Sequence, residues 1–251
     1  MATRTAIILA AGRGSRLGDL TSDRPKCLIE ICGRSLIHYQ VTALRLAGIS
    51  HIYVVAGYRS SQLASPDYSL IINEDWRDSN MVSSLLCGEH LLESESVVVS
   101  YSDIIYAPAV IESLIQNPND ITVAYDPHWI LLWRERMDDP LQDAETFQID
   151  PNGYITEIGN RPSGLEQIAG QYMGLIHIRP RGWKALSRTL MRQSSATRAQ
   201  IQMTKLLQLC VLESECQVSS IPNDFPWCEI DTPNDLRVAE DVVHKLSGLG
   251  L

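Results

Sequence analysis

Three groups of residues in this chain of 251 carry side chains suited to binding polyanions and the cations that accompany them. The first is the loop Ala11-Gly12-Arg13-Gly14-Ser15-Arg16, followed by Pro25-Lys26. Glycines at 12 and 14 remove Cβ atoms, so backbone N–H groups there can approach a phosphate closely. Arg13, Arg16 and Lys26 add fixed positive charge. The second is Asp103, just after the valine run 97–99. An unpaired carboxylate is too costly to bury within such a run. At the run's end it suits Mg²⁺, which takes one or two carboxylates plus substrate phosphates. A turn or helix cap is the simpler use of the same residue. The third is Glu229-Ile230-Asp231, ahead of Thr232-Pro233. Capping accounts for Thr232 and Asp235 but not for two acids spaced to face the same way on extended backbone. Such a pair makes a metal site when another acid faces it.

Two glycine motifs compete for the first group, and neither fits. A P-loop needs Gly-x4-Gly-Lys-Ser/Thr, which is absent. The dinucleotide fingerprint needs a third glycine where Leu17 stands, and Gly18 falls one residue late. No acidic residue ends a second strand about 20 residues on, as that fingerprint also requires. An ordinary strand–turn–helix connection leaves three cations beside two glycines without a packing purpose.

The elements that must position these groups read as alternating strands and helices. Residues 6–10 form a short apolar run, a buried strand that opens into the loop. A short strand is expected at 27–31, then a helix over 36–47 capped by Ser35 and ended by Gly48, then a strand over 52–56 closing on Gly57. Strand, helix and strand make a βαβ unit and a parallel sheet. Ligands of such sheets sit at the carboxyl ends of the strands, where the Gly12–Arg16 loop and Gly57 both fall. A strand over 69–73 precedes Asn80, which begins a helix running to about 92. Asn80 is either a plain cap or part of an anion or base site at the helix start.

Further strands are expected at 97–106 and 121–126, and a tryptophan-rich helix at 127–136. The turn Asn152-Gly153 between apolar stretches predicts a hairpin. Arg134, Arg136, Asp143 and Glu145 form either a solvated surface network or a pocket, with arginine on a phosphate and carboxylate on an amine or hydroxyl. A strand over 171–178 contains Gly174, which marks close approach of a ligand or neighbouring backbone. A helix over 180–191, a polar surface loop over 193–198, a helix over 202–212, an edge strand over 218–221 and a terminal helix over 238–246 complete the pattern.

Composition narrows the partners. Hydrophobic residues make up 45% of the chain, enough for a full core in one large α/β domain or two small ones. A formal charge of −9 argues against a nucleic-acid binder. No apolar run approaches a membrane span, and the N-terminus lacks a signal-peptide pattern. Six scattered cysteines without a Cys-x-x-Cys pair favour neither zinc nor disulfides and fit a reducing cytoplasm.

Leu-Ala-Ala-Gly-x-Gly-Ser-Arg-Leu at 9–17, then Thr21 and Pro25-Lys26, resembles the signature of the nucleotidyltransferases that activate sugar phosphates and small phosphorylated alcohols. The resemblance implies an α/β, Rossmann-like, mixed but mostly parallel sheet flanked by helices, of the nucleotidyltransferase or GT-A-like kind. It implies one domain over 1–251, with an antiparallel acceptor-binding insertion at about 127–175 acting as a lid. It also implies nucleoside monophosphate transfer from an NTP to a phosphate. Leu9, Ala10, Ala11, Gly12, Arg13, Gly14, Ser15, Gly57, Asn80 and Ser84 would then meet the nucleotide. Arg16 and Lys26 would be catalytic, and Asp103 and Asp231 would be the Mg²⁺ ligands, with Glu229 left open.

The stretches around Tyr101–Tyr106, Leu132–Thr146 and Gln171–Leu175 are similar to a narrower branch, the CTP-dependent phosphoglutamine cytidylyltransferases of capsule phosphoramidate assembly. More distantly the chain is similar to phosphocholine and aminoethylphosphonate cytidylyltransferases, departing from the former around Ser100–Ser102. The implied partners are CTP and a small phosphorylated acceptor, met by Arg134, Arg136, Asp143, Glu145 and Gln171. Neither nucleic acid nor membrane is expected, and a homodimer is compatible with the sequence. The competing activity is a sugar-1-phosphate nucleotidyltransferase using UTP, TTP or GTP.

Overall fold

The computed structural model describes residues 3–248 and 251. The chain opens with β1 (Thr5–Ala10), β2 (Glu30–Ile31), β3 (Arg34–Ser35), α1 (Leu36–Leu46), β4 (His51–Ala56) and β5 (Ser69–Ile72). It continues with α2 (Met81–Leu86), α3 (Glu89–Ser94), β6 (Val97–Tyr101), β7 (Ile104–Tyr106), α4 (Pro108–Gln116), β8 (Ile121–Asp126) and α5 (Trp129–Arg136). The hairpin β9 (Phe147–Ile149) and β10 (Ile155–Ile158) follows, then β11 (Gln171–Ile178) and α6 (Pro180–Met191). The chain closes with α7 (Ser195–Gln200), α8 (Met203–Leu212), β12 (Ser219–Pro222), β13 (Trp227–Glu229) and α9 (Asp235–Ser247).

Seven strands form one sheet in the order β12-β8-β11-β6-β1-β4-β5. Every neighbouring pair is parallel except those made by β11, which runs against both β6 and β8. The apolar runs of the central strands follow from burial on both faces. Along β1, Ile7 and Leu9 join a core with Leu85, Trp183 and Leu207, while Ala6, Ile8 and Ala10 join a second core with Ile37, Leu44 and Ile111. Helices therefore cover both sides, and the loops after β1, β4 and β6 meet at one edge. A third core gathers Leu17, Leu36, Ile105, Ile230 and Ala239. It fastens the tail of the chain beneath that edge.

Four elements differ from the sequence reading, each for a local reason. The expected strand at 27–31 is a tight turn at 26–28 followed by the two-residue β2. Bonds from Leu28 N–H to Pro25 O and Ile29 N–H to Lys26 O spend the donors that a strand would need. The helix after Asn80 breaks at Gly88, where a Cβ would meet Ile7 Cδ1 at 2.9 Å. The strand at 97–106 is interrupted by Ser102-Asp103, so that β7 leaves the sheet and pairs with β13 instead. The stretch 193–198 carries the start of α7, whose cap Ser194 accepts from Thr197 N–H at 3.2 Å. The Asn152-Gly153 hairpin forms as read, with Gly153 at φ +82°.

Candidate active site

Lys26 is the centre of the edge. Its ammonium donates to Asp103 Oδ2 at 2.8 Å and to Asp231 Oδ1 at 2.6 Å, while Arg16 reaches Asp231 Oδ1 at 2.9 Å. The loop after β1 shapes this arrangement. Gly14 sits at φ +74°, where its carbonyl accepts from Leu17 N–H and the Thr21 hydroxyl. A Cβ at position 14 would stand 2.8 Å from the Lys26 stem, so the bare backbone lies along the lysine. The missing side chain thus serves both the left-handed backbone and the close approach.

The two acidic groups, far apart in sequence, are joined by the β7–β13 pairing. Glu229 stands opposite Ile104, and Ile230 N–H donates to Asp103 O at 2.9 Å. One carboxylate oxygen from each of Asp103, Glu229 and Asp231 lies within 4.8 Å of the other two. Asp103 Oδ1 is buried and without a partner among the described residues. Three oxygen donors, one of them uncommitted, fit a hard cation such as Mg²⁺.

Electrostatics follow this geometry. Burial alone would lower the Lys26 pKa, but Asp103 and then Asp231 outweigh it and hold the ammonium above its ordinary value. Burial would raise Asp231, yet Lys26, with Arg16 behind it, reverses this and keeps the carboxyl below its usual range. Glu229 has one cation at close range, the Arg136 guanidinium at 3.4 Å, and it does not offset the opposing effects. Burial, then the like charges of Asp231 and Asp103, pushes it well above the usual carboxylate range despite Arg136.

Two lobes of one cleft meet here, of about 210 and 250 Å³, and both are lined by Arg16, Met81, Tyr101 and Asp231. The first lobe holds Leu9, Ala11, Gly12, Gly14, Lys26, Asn80, Ser84 and Asp103, as the nucleotide reading expects of most of them. Ala10, Arg13, Ser15 and Gly57 lie outside its lining. Ala10 is core, and the Arg13 guanidinium stands 5.9 Å from the Tyr58 ring centre. Gly57 is bare because Trp76 packs on it: a Cβ there would meet the Trp76 side chain, and Ala11 O at 2.8 Å. Asn80 spends its amide on Met81 N–H and on Gln200 O, tying α2 to α7. Ser84 accepts from Asn73 Nδ2 at 3.0 Å. Trp76, Ser79, Met81, Tyr101 and Ser102 also line this lobe, and sequence reasoning did not single them out. A lone tryptophan in a polar stretch was the available signal for Trp76.

The second lobe is lined by Trp133, Asp143, Glu145, Gln171, Tyr172, Gln202, Thr204 and Glu229. Gln171 clamps the backbone of Glu145, accepting from its N–H at 3.1 Å and donating to its O at 2.6 Å. Burial raises the Glu145 carboxyl. Gly174, at φ +76°, admits the Tyr101 ring rather than a ligand or backbone. The two arginines expected in this lobe are not in its lining. Arg134 is exposed on α5. Arg136 faces inward, paired with Asp235 at 3.0 Å and with Glu229 at 3.4 Å, so it is not free to receive an acceptor phosphate.

Among known proteins, the chain is 34% identical to CTP:phosphoglutamine cytidylyltransferase of Campylobacter jejuni subsp. jejuni, over 93% of this chain and 98% of that one. It is 33% identical to 2-aminoethylphosphonate cytidylyltransferase of Lancefieldella rimae, over 40% of this chain and 43% of that one. The inositol-1-phosphate CTP transferase of T. maritima has the same fold, with a TM-score of 0.78 and 23% identity over 98% of this chain and 97% of that one. Residues 6–151 match the MobA-like NTP transferase domain, the family to which this chain, a nucleotidyltransferase, belongs.

Proposed function

We propose that the chain transfers CMP from CTP to a small phosphorylated acceptor of the phosphoglutamine kind, releasing pyrophosphate. The observation that carries this reading is the position of Lys26, at the junction of two lobes and between two aspartates. An acceptor phosphate oxygen attacks the α-phosphorus of CTP, and the bond from that phosphorus to the bridging oxygen of the β-phosphate breaks. The attacking oxygen is already anionic, so no general base is needed. The protein supplies positioning and charge neutralisation.

Backbone N–H groups of the 11–15 loop hold the triphosphate, and Arg16, on the rim of both lobes, neutralises the leaving pyrophosphate. Lys26 stabilises the charge that builds at the α-phosphate. Asp103 and Asp231, with Glu229 beside them, would hold Mg²⁺, which when bound supplies charge neutralisation and orientation of phosphate oxygens.

The second lobe favours an acceptor carrying an amine. Asp143 and Glu145 supply negative charge, and Trp133, Tyr101 and Tyr172 supply ring faces, a combination that attracts an ammonium. The reading keeps the 127–175 segment as the acceptor-binding insertion, which contributes Trp133, Asp143, Glu145, Gln171 and Tyr172. Phosphocholine and aminoethylphosphonate remain the alternative acceptors. The same carboxylates weigh against a neutral sugar 1-phosphate. A cytoplasmic reaction serving capsule or surface-polysaccharide modification, in a monomer or homodimer, belongs to this reading. Pyrophosphate release with four NTPs, each paired with phosphoglutamine, phosphocholine, aminoethylphosphonate and sugar phosphates, tests it. The expected result is turnover with CTP and amine-bearing acceptors; turnover confined to UTP, TTP or GTP with sugar phosphates would overturn it.

A further inference from the structure

We infer that Arg136 and Asp235 form a buried brace that aims the carboxylates of Glu229 and Asp231, which makes both brace members positioning residues for the metal-binding acids. The inference rests on the reading of Asp103, Glu229 and Asp231 as Mg²⁺ ligands.

The two oxygens of Asp235 divide their work. Oδ1 accepts from Arg136 Nε at 3.0 Å. Oδ2 accepts from Asp231 N–H at 2.8 Å, Thr232 N–H at 2.7 Å and the Thr232 hydroxyl at 3.1 Å. The peptide that carries Asp231 is thereby fixed to the same carboxylate as the guanidinium. Arg136 Nη1 donates in turn to Glu229 Oε2 at 3.4 Å. Both side chains of the pair are 1% exposed. The guanidinium lies 4.8 Å from the Trp133 ring centre, and Asn234 Nδ2 donates to Arg136 O at 2.7 Å, so α5 is locked to the start of α9.

A helix cap explains the bonds of Oδ2. It does not explain the cation on Oδ1, nor the second arm of that cation on Glu229. Stability alone is a weak reason for such a pair, because apolar residues of similar volume commonly do as well as a buried ion pair. Aiming is a sufficient reason: groups that hydrogen-bond to metal-ligating side chains typically change metal affinity or activity by about 10–100-fold when lost.

The test uses Asp235→Asn, which keeps the side-chain volume, and Arg136→Lys, which keeps the charge but has one arm. Mn²⁺ binding to the whole enzyme is followed by electron paramagnetic resonance, and the Mg²⁺ dependence of turnover is measured beside it. Both variants are expected to weaken Mn²⁺ binding about tenfold or more and to raise the half-saturating Mg²⁺ in parallel. Excess Mg²⁺ is expected to restore turnover with an unchanged KM for CTP, a rescue that a generally loosened fold would not show. If Arg136→Lys does not fold, Asp235→Asn carries the test. A folded Asp235→Asn with unchanged Mn²⁺ affinity, beside an Asp231→Asn control that loses it, overturns the brace alone. An Asp231→Asn control that keeps full affinity overturns the metal reading, and the brace with it.

Discussion

The Lys26 ammonium lies 2.6 Å from Asp231 Oδ1, although 205 positions separate the two residues in the chain. With Asp103 on its other side, the lysine is the cation that two carboxylates share. Lys26→Met is expected to lower turnover about 10²–10³-fold, the scale of losing one charge-stabilising donor. Removing one partner of a buried pair also costs about 3–5 kcal/mol. The melting temperature should therefore fall without metal and partly recover with Mg²⁺. Thermal melts with and without Mg²⁺, beside a radiolabelled CTP assay, check both halves; normal turnover would remove Lys26 from the mechanism.

Arg16 separates activity from stability. Its side chain is 64% exposed, and exposed ion pairs contribute within about 1 kcal/mol. Arg16→Ala should leave the melting temperature nearly unchanged while lowering kcat/KM for both reactants, since the residue borders both lobes. Steady-state kinetics varying each reactant in turn would expose an effect confined to one of them.

Gly14→Ala tests the support of the lysine. A left-handed backbone costs a residue with a Cβ roughly 1–2 kcal/mol, and the new methyl would press on the Lys26 stem. Turnover should drop more than the stability change accounts for. Gly33→Ala is the control: Gly33 has φ +78°, close to that of Gly14, but a Cβ there meets nothing within 4 Å. Equal losses at the two positions would show that only backbone strain matters.

Much of this framework is legible in the sequence because it depends on local pattern. Strands buried on both faces need continuous apolar runs, and β1, β4 and β6 show them. Arg13, Arg16 and Lys26 stand out beside Gly12 and Gly14 as cations without a packing purpose, and Asp103 as an acid at the end of a valine strand. The rest depends on tertiary partners. Arg134 and Arg136 are two apart on a helix and so point to different sides, but which side faces inward is set by Asp235 from α9. The helix α7 is short and polar, and its link to Asn80 comes from far away in the chain. Gln202 and Thr204 reach the second lobe because α8 packs on β10, where Gln208 accepts from Ile158 N–H at 2.7 Å.

His177 makes folding depend on pH at a point remote from the cleft. It is fully buried on β11 against Thr3. Burial, helped by the charge of Arg179, pulls its pKa from 6.5 down to about 4. The unfolded chain therefore binds the extra proton between those values. Stability should be full above pH 6.5, fall as pH drops toward 4 and level off below, by about 3 kcal/mol in all. Urea midpoints across this window, for the wild type and His177→Gln, check it; a variant with the same slope as the wild type would assign the effect elsewhere.

The reversed direction of β11 has an evolutionary consequence. Its first residues, Gln171 and Tyr172, reach the edge where β6 and β8 end, and they bring the preceding segment with them. One lobe is therefore written almost wholly in residues 9–103 and the other largely in residues 133–229. Among the described residues, only Arg16, Met81, Tyr101 and Asp231 answer to both. If each lobe takes one reactant, as proposed, descendants of such a chain can exchange one reactant for another by drift in the later half while the earlier half stays under its own selection.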